Sequence, residues 1–184
     1  MSDTTERIIA AARGWLGTPY RHQASLKGVG CDCLGLVRGV WRDVYGAEPE
    51  IPPPYTADWA EASAAETMAE AARRHCTEYP CTDVRPGDLL LFRWRTHLPA
   101  KHAGIATPGG KMIHAQDGIA VTEIDLSPWW LRRLAFVFRF PTILPSPPSG
   151  EGQGVGTTHA HLTRSPHPQP FPGDRGGERK AEAP

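Results

Sequence analysis

The spacing of apolar side chains predicts helices in the first part of the chain. Apolar residues recur at helical intervals from residue 4 to residue 16, before a glycine and a proline interrupt the pattern. A stronger helical pattern begins at Cys33 and ends at Gly46, since glycine is typical of a helix C-terminus. An alanine-rich stretch from 58 to 75 predicts a third helix, and the IPPPY segment before it predicts an extended connector.

From the Pro-Gly-Asp at 86–88 onward, the pattern changes to short apolar runs that are typical of strands. The runs are LLLF at 89–92, HAGIA at 102–106, KMIHA at 111–115, IAVTEI at 119–124 and LAFVFRF at 134–140. Glycines and prolines between the runs supply the turns that an antiparallel meander requires. We therefore predict an α+β fold in which N-terminal helices pack on a C-terminal antiparallel β-sheet.

Composition predicts one domain and a tail. A chain of 184 residues with 40% hydrophobic side chains suffices for one ordinary core. The segment 143–184 is rich in proline and glycine and contains few large apolar side chains, so it buries too little surface to offset its chain entropy. We predict a folded domain over residues 1–142 and a disordered tail over 143–184.

Charge and hydropathy exclude several classes of partner. The 20 basic and 20 acidic side chains give a formal net charge of zero, and no basic run is present, so we expect no binding to nucleic acid. No apolar run approaches the roughly 20 residues of a membrane span, and we expect no membrane insertion. The N-terminal sequence lacks the features of a secretory signal, so we expect a protein made in the cytoplasm with reduced cysteines.

Cys33 is the first candidate for chemistry, because it lies where a glycine-bearing turn leads into the most regular predicted helix. A thiol at a helix N-terminus is close to the positive end of the helix dipole and to unpaired amide donors, which favour the thiolate. The alternative interpretation is a small apolar side chain on the buried face of the helix.

Two histidines on successive predicted strands complete a candidate catalytic set. His102 begins one run and His114 ends the next, across the PGG turn. Residues placed symmetrically about a turn face each other on one side of an antiparallel pair, so the two imidazoles should touch. His102 would then be the base for a cysteine nucleophile, and His114 would orient it. Each histidine alone is more simply a hydrogen-bonded strand residue.

The segments DCLGLV, PGDLLLF, HAGI and MIHA, in this order and spacing, resemble the NlpC-type, papain-like cysteine peptidases of bacterial cell walls. The resemblance implies a papain-like core and the catalytic set Cys33, His102 and His114. It also implies that Tyr20 lies beside the nucleophile and contacts substrate or the oxyanion, with a core aromatic as the alternative. Asp32 is predicted as a second substrate-binding residue, or as the cap of the helix from Cys33.

The same resemblance implies hydrolysis of peptide bonds in peptidoglycan stem peptides, between D-glutamate and diaminopimelate, without a cofactor or a metal. Leu34 departs from the serine that commonly follows the nucleophile. The GCDCLGLV form is similar to the phage-tail and gene-transfer-agent branch. We therefore expect peptidoglycan and phage-like tail proteins as partners, and a phage-like particle that brings the enzyme to the periplasm.

Three alternatives stay open at this stage. The C-x-C at 31–33, the C-x4-C at 76–81 and the histidines could belong to a metal-binding module, although their spacing is not that of a zinc knuckle. The same fold could serve an amidase or an acyltransferase, because fold does not fix substrate. The chain could also be an inactive structural component of a tail.

The neighbouring Trp129 and Trp130 could line a groove or cover an edge of the sheet.

Overall fold

Four helices and eight strands follow one another in residues 2–56 and 65–143, which the computed structural model of the chain describes. In chain order they are α1 (Asp3–Arg13), β1 (Ser25–Leu26), β2 (Gly30–Cys31), α2 (Cys33–Tyr45), α3 (Thr67–His75), β3 (Thr77–Tyr79), β4 (Leu89–Phe92), β5 (His102–Thr107), β6 (Lys111–His114), β7 (Thr122–Asp125), α4 (Pro128–Leu131) and β8 (Leu134–Arg139).

Helix α2 begins and ends where the sequence predicts. Its N-cap is Asp32, whose side chain accepts a hydrogen bond from the backbone N–H of Gly35, and its C-cap is Gly46, with a φ of 91° that favours glycine. Its buried face packs against α1 and the sheet. At Gly39 the indole of Trp15 lies so close that a Cβ atom would be 1.9 Å from it.

The six main strands form one antiparallel sheet in the order β3-β8-β4-β5-β6-β7. The predicted α+β class with helices packed on an antiparallel sheet is confirmed, and β4 to β7 form the expected meander. The last strand does not continue it, because β8 pairs with β4 and β3 at the other side of the sheet. Helix α4 carries the chain back: Trp130 packs on Phe92, and the N–H of Arg93 donates to the carbonyl of Arg133 at 2.9 Å.

Some predicted boundaries are wrong, for local reasons. Strand β7 begins at residue 122 instead of 119, because Val121 bonds to the loop after α1: its N–H donates to Thr18 and its carbonyl accepts from Gly17. Helix α1 ends three residues before the predicted residue 16. Helix α3 begins at Thr67, and residues 58–64 of the predicted third helix lie outside the described residues.

Both faces of the sheet are covered, which explains why LLLF reads as a continuous apolar run. One face packs against α1, α2 and α3 and carries Leu89, Leu91, Ala103, Ile105, Ile113 and Phe138. The other face carries Leu90, Phe92, Ala106, Met112 and Val137, under Trp130 of α4. Burial of each large apolar side chain contributes roughly 1.5–3 kcal/mol.

The end of the described chain is attached to this domain. Ile143 packs against the core, and its N–H donates to the Thr4 hydroxyl at 2.9 Å. The rest of the predicted tail, after residue 143, lies outside the described residues, so disorder there stays a prediction. Within the described part of the chain, no helix has the length and apolar character to cross a membrane.

Candidate active site

The thiol of Cys33 lies where α2 meets the start of β5. Cys33 is the first residue of α2 and is half-buried. Its Sγ lies 3.9 Å from the carbonyl oxygen of Lys101, and the N–H of Ala103 also points at the sulfur. These two backbone groups flank His102 on either side. The fold thus places the thiol of the predicted nucleophile against the backbone next to the predicted base, although 69 positions separate Cys33 and His102 in the chain.

The register of the sheet leaves the start of β5 beyond the end of β6. Strand β6 ends at His114, whose partner is Gly104, while β5 begins two residues earlier at His102. Cys33, at the N-terminus of α2, contacts the backbone at this start of β5.

His102 and His114 touch, but not as residues directly opposite each other. Nε2 of His102 lies 2.9 Å from Nδ1 of His114, and the two rings are almost perpendicular at 88°. The prediction of a symmetric pair is wrong, because the turn pairs His114 with Gly104 and not with His102. The contact is diagonal. A shift of two residues keeps both side chains on one face, so the predicted contact itself is present.

The contact allows two tautomeric arrangements, which differ in the nitrogen of His102 that can act as a base. When Nε2 of His102 donates to Nδ1 of His114, Nδ1 of His102 carries no proton and can accept one. The opposite tautomers would place a proton on Nδ1 of His102 and remove that capacity. The predicted role of His114, to orient His102 as a base, requires the first arrangement.

Aromatic side chains cover the histidine pair. Trp130 stacks on the ring of His102, with centroids 5.4 Å apart, and meets the ring of His114 edge-on at 5.2 Å. Burial lowers the pKa of His114 to about 4. Burial, with a further contribution from His114, lowers the pKa of His102 to about 3. Both imidazoles are therefore neutral at pH 7. Trp130 covers a face of the sheet, whereas the sequence suggested a groove or an edge of the sheet.

The expected thiolate at Cys33 is not the resting form. Burial, and then the negative charge of Asp32, raises the pKa of Cys33 to about 12, against the lowering effect of the backbone N–H groups of Ala103, Leu34 and Cys33. Desolvation disfavours the charged sulfur more than the helix N-terminus favours it. At neutral pH the Cys33 thiol and the His102 imidazole are therefore both uncharged.

Asp32 organises the loops around Cys33. Besides capping α2, its carboxylate accepts hydrogen bonds from the N–H of Gln23 at 2.7 Å and from the hydroxyl of Tyr55 at 2.6 Å. Gln23 adopts a φ of 62°, unusual for a residue with a side chain. Since Asp32 is 3% exposed and its oxygens are engaged within the chain, the predicted capping role is confirmed. A role of Asp32 in substrate binding, as predicted, would be indirect, through the positions of Gln23 and Tyr55.

Two tyrosines stand near the thiol, and sequence reasoning found one of them. Tyr20 pairs with Cys31 through a β-bridge, and burial together with the nearby charges of Cys33 and Asp32 raises its pKa to about 12. Tyr20 therefore lies near Cys33, and its predicted contact with substrate or the oxyanion stays a prediction. Tyr55 was missed because it ends a proline-rich connector. Its hydrogen bond to Asp32 and its edge contact with His22, with centroids 5.2 Å apart, connect that connector to the site.

An apolar cleft of about 460 Å³ opens beside the site, between α2, α3 and the proline-rich segment. Leu34 and Ala103, the neighbours in sequence of Cys33 and His102, both line it. Most of the lining is apolar, including Val37, Trp41, Met68 and Leu91. Leu34, the residue that departs from the usual serine, therefore contributes to an apolar wall next to Cys33.

Cys31 and Asp88 have contacts that stabilise the fold. All four cysteines are free thiols, and Cys31 is fully buried in the core. Asp88 accepts from the N–H of Arg85 within the predicted turn and pairs with Arg139. Within residues 2–56 and 65–143, no three His, Cys, Asp or Glu side chains are grouped as metal ligands.

Comparison with known proteins places this geometry in context. The model of the NlpC/P60 family matches residues 17–138, more than half of the chain. The gamma-DL-glutamyl hydrolase of Bacillus subtilis is 26% identical over 137 residues, which cover 74% of this chain. The match spans only 29% of that relative's length.

Solved structures share the fold. The NlpC/p60 domain of the peptidoglycan hydrolase SagA is 25% identical, with a TM-score of 0.52, and the match covers 74% of this chain and 98% of that domain. A Bacillus cereus protein of the NlpC/P60 family is 19% identical, with a TM-score of 0.54, over 74% of this chain and 40% of its own length.

Proposed function

The chain belongs to the NlpC/P60 family, a family of hydrolases, and on that premise we propose that it is a cysteine peptidase acting on peptidoglycan stem peptides. The observation that carries the proposal is the position of Cys33, held against the backbone on both sides of His102 while His102 bonds to His114. In this proposal Cys33 is the nucleophile, His102 the general base and acid, and His114 the residue that orients His102.

The reaction follows from the neutral resting pair. Nδ1 of His102 takes the proton of the Cys33 thiol as the sulfur attacks the stem-peptide carbonyl, so the thiolate forms only during the attack. The resulting imidazolium donates its proton to the leaving amine, and the C–N bond breaks to leave a thioester on Cys33. Water then attacks the thioester with His102 again as base, which releases the acid and restores the thiol.

Backbone donors at the start of α2 supply the electrostatic part of catalysis. The N–H groups of Cys33 and Leu34 belong to the first turn of the helix, where N–H groups have no intrahelical acceptor. They can donate to the oxyanion that forms on the attacked carbonyl. The Tyr20 hydroxyl, uncharged at neutral pH, is a further donor near the sulfur.

The proposed bond joins D-glutamate to diaminopimelate. The proposal is supported by the name of the Bacillus subtilis relative, a gamma-DL-glutamyl hydrolase, and by the SagA domain, which comes from a peptidoglycan hydrolase. Delivery by a phage-like particle, with tail proteins as partners and the periplasm as the place of action, is a further proposal that depends on the resemblance of GCDCLGLV alone.

Digestion of purified sacculi tests the proposed function. Diaminopimelate-type sacculi are incubated with the wild type, Cys33→Ala and Cys81→Ala, and the soluble fragments are identified by mass spectrometry. The wild type should release fragments that end at D-glutamate, Cys33→Ala should release none, and Cys81→Ala should match the wild type because its thiol lies outside the site. Equal release by the wild type and Cys33→Ala would refute the mechanism.

The apolar cleft favours one alternative, hydrolysis or transfer of an apolar acyl group. Its walls at Leu34 and Ala103 would accept an aliphatic chain whose carbonyl reaches Cys33. Hydrolysis of p-nitrophenyl esters of increasing chain length by the wild type distinguishes the two functions. A peptidase should show little dependence on chain length, whereas an acyl-group enzyme should prefer medium chains strongly over acetate.

A further inference from the structure

Four arginines gather at one end of the sheet, although the sequence separates them into two pairs. Arg93 and Arg95 follow β4, and Arg132 and Arg133 follow α4. The hydrogen bond from the N–H of Arg93 to the carbonyl of Arg133, at 2.9 Å, joins the two segments. Together with Trp94 they line a cleft of about 570 Å³, here called the arginine cleft.

Most of the positive charge in the arginine cleft has no acidic partner. Arg93 pairs with Glu66 at 3.0 Å. Arg95 and Arg132 are exposed, and across residues 2–56 and 65–143 neither they nor Arg133 forms an ion pair with a carboxylate. In a chain of zero formal net charge, this is a local concentration of like charges, and an anion bound there would relieve their mutual repulsion.

A row of aromatic rings connects the arginine cleft to the candidate base. The ring of Trp94 lies 5.5 Å from that of His102 and 5.9 Å from that of Trp129. The guanidinium of Arg133 lies 3.7 Å from the ring of Trp129. Trp94 is 37% exposed and Trp129 is 42% exposed, so both rings offer a surface to a ligand that extends from His102 toward the arginines.

The arginine cleft lies on the His102 side of the site, and this position identifies the part of a substrate that would reach the cleft. In the proposed reaction His102 gives its proton to the leaving amine, so the fragment that leaves must lie next to His102. The tryptophans and the arginine cleft continue from His102, whereas the apolar cleft begins at Leu34 beside the nucleophile. We propose that the arginine cleft binds the free carboxylates of the leaving fragment, an inference that rests on the proposed function.

The chemistry of the cleft matches that ligand. A guanidinium offers paired N–H donors in a planar fork that fits a carboxylate, and such charge-assisted bonds are the stronger ones. A diamino acid released from a stem peptide carries carboxylates close to the new amine, within reach of more than one arginine. Amidation of those carboxylates removes their negative charge and replaces one of the two acceptor oxygens that the guanidinium fork would bind. The cleft therefore predicts a preference for free over amidated stem peptides.

Cleavage kinetics on two matched peptides test the preference. Both contain the D-glutamyl–diaminopimelate bond, and they differ only in whether the carboxylates on the leaving side are free or amidated. We expect Arg132→Gln and Arg95→Gln each to raise KM for the free peptide about tenfold, the loss of one charge-assisted contact, and to leave kcat unchanged. KM for the amidated peptide should not change. Arg13→Gln, which removes an exposed arginine paired with Glu123, should match the wild type.

Binding measured without catalysis separates this inference from the proposed function. The free leaving fragment is titrated calorimetrically into Cys33→Ala, with and without Arg132→Gln. Loss of affinity on Arg132→Gln supports the cleft even if the wild type cleaves neither peptide, a result that would refute only the proposed function. The inference is overturned if the arginine variants change neither KM nor fragment affinity, if they affect both peptides equally, or if a single-stranded oligonucleotide binds the cleft more tightly than the fragment.

Discussion

Nε2 of His102 lies 2.9 Å from Nδ1 of His114, and the two imidazoles meet diagonally across adjacent strands under the indole of Trp130. Their burial leaves both rings neutral at pH 7, so each contributes to stability as an uncharged group. Protonation of either ring in the folded state would place a charge in an apolar enclosure. A fall in pH should therefore protonate the candidate site and lower the stability of the fold at the same time.

The free energy of unfolding should fall as the pH falls, because of these histidines. The pKa of His114 falls from an ordinary 6.5 to about 4 on folding, so its stabilising contribution is complete above pH 6.5 and is lost as the pH falls toward 4. Each pH unit in that window costs roughly 1.4 kcal/mol per buried histidine. Urea denaturation at pH 7, 6 and 5 should show a steeper loss for the wild type than for His114→Gln; parallel curves would contradict the burial argument.

Alkylation of Cys33 should report a protonated resting thiol. Because burial and Asp32 raise the pKa of Cys33 to about 12, its reaction with iodoacetamide should be slow at pH 7 and still increase at pH 9. The rate is read by mass spectrometry of the peptide that contains Cys33, so that the exposed Cys81 does not interfere. A rate that reaches its plateau below pH 7 would instead show a thiolate–imidazolium pair.

Asp32→Asn should separate the charge of Asp32 from its role as a cap. An amide oxygen can still accept the N–H of Gly35, but its NH2 group would oppose the donors at Gln23 and Tyr55. We expect about 1–3 kcal/mol of lost stability together with faster alkylation of Cys33 at pH 8, because a nearby negative charge is gone. If alkylation were unchanged, the charge of Asp32 would not control the thiol.

Removal of Trp130 should expose the histidine pair. Trp130→Ala creates a cavity over His102 and His114 and should cost about 3 kcal/mol, and it should raise the pKa of both rings toward 6.5 as water enters. NMR titration of the imidazole resonances measures the shift. Trp130→Phe keeps most of the cover and serves as the matched variant, whose histidines should titrate close to those of the wild type.

Truncation at two positions three residues apart tests where the domain ends. A chain that stops at Ile143 retains the hydrogen bonds from Ile143 to Thr4 and from Tyr45 to the carbonyl of Pro141, so we expect an unchanged melting temperature and unchanged hydrolysis of sacculi. A chain that stops at Phe140 loses both bonds and should melt at a lower temperature. If the longer truncated chain lost activity while remaining folded, the segment after residue 143 would have a function that its composition does not predict.

Local signals made much of this fold predictable. Asp32 and Gly46 bracket an apolar face of helical period, and the bounds of α2 follow from them directly. The pairing of β8 with β4 depends on contacts between residues more than 40 positions apart, and periodicity carries no information about such partners. The position of β7 was misjudged for the same reason, because Val121 bonds to a distant loop.

The residues of the candidate site were easier to select from the sequence than their protonation states. Spacing and the family resemblance selected Cys33, His102 and His114, the structure brings their segments together, and their catalytic roles stay predictions. The protonation state of Cys33 was not predictable, since desolvation depends on the surrounding fold and outweighs the helix terminus. The arginine cleft was invisible for another reason: Arg95 and Arg132 belong to segments that become neighbours only when β8 returns to β4.

The early end of β6 has a consequence for protein design. A hairpin with strands of unequal length is visible in a backbone before any side chain is chosen, and here Cys33 contacts the backbone at the start of β5, which extends past the end of β6. A design that copies this arrangement would therefore specify the lengths of the two strands first and the side chains of Cys33, His102 and His114 second.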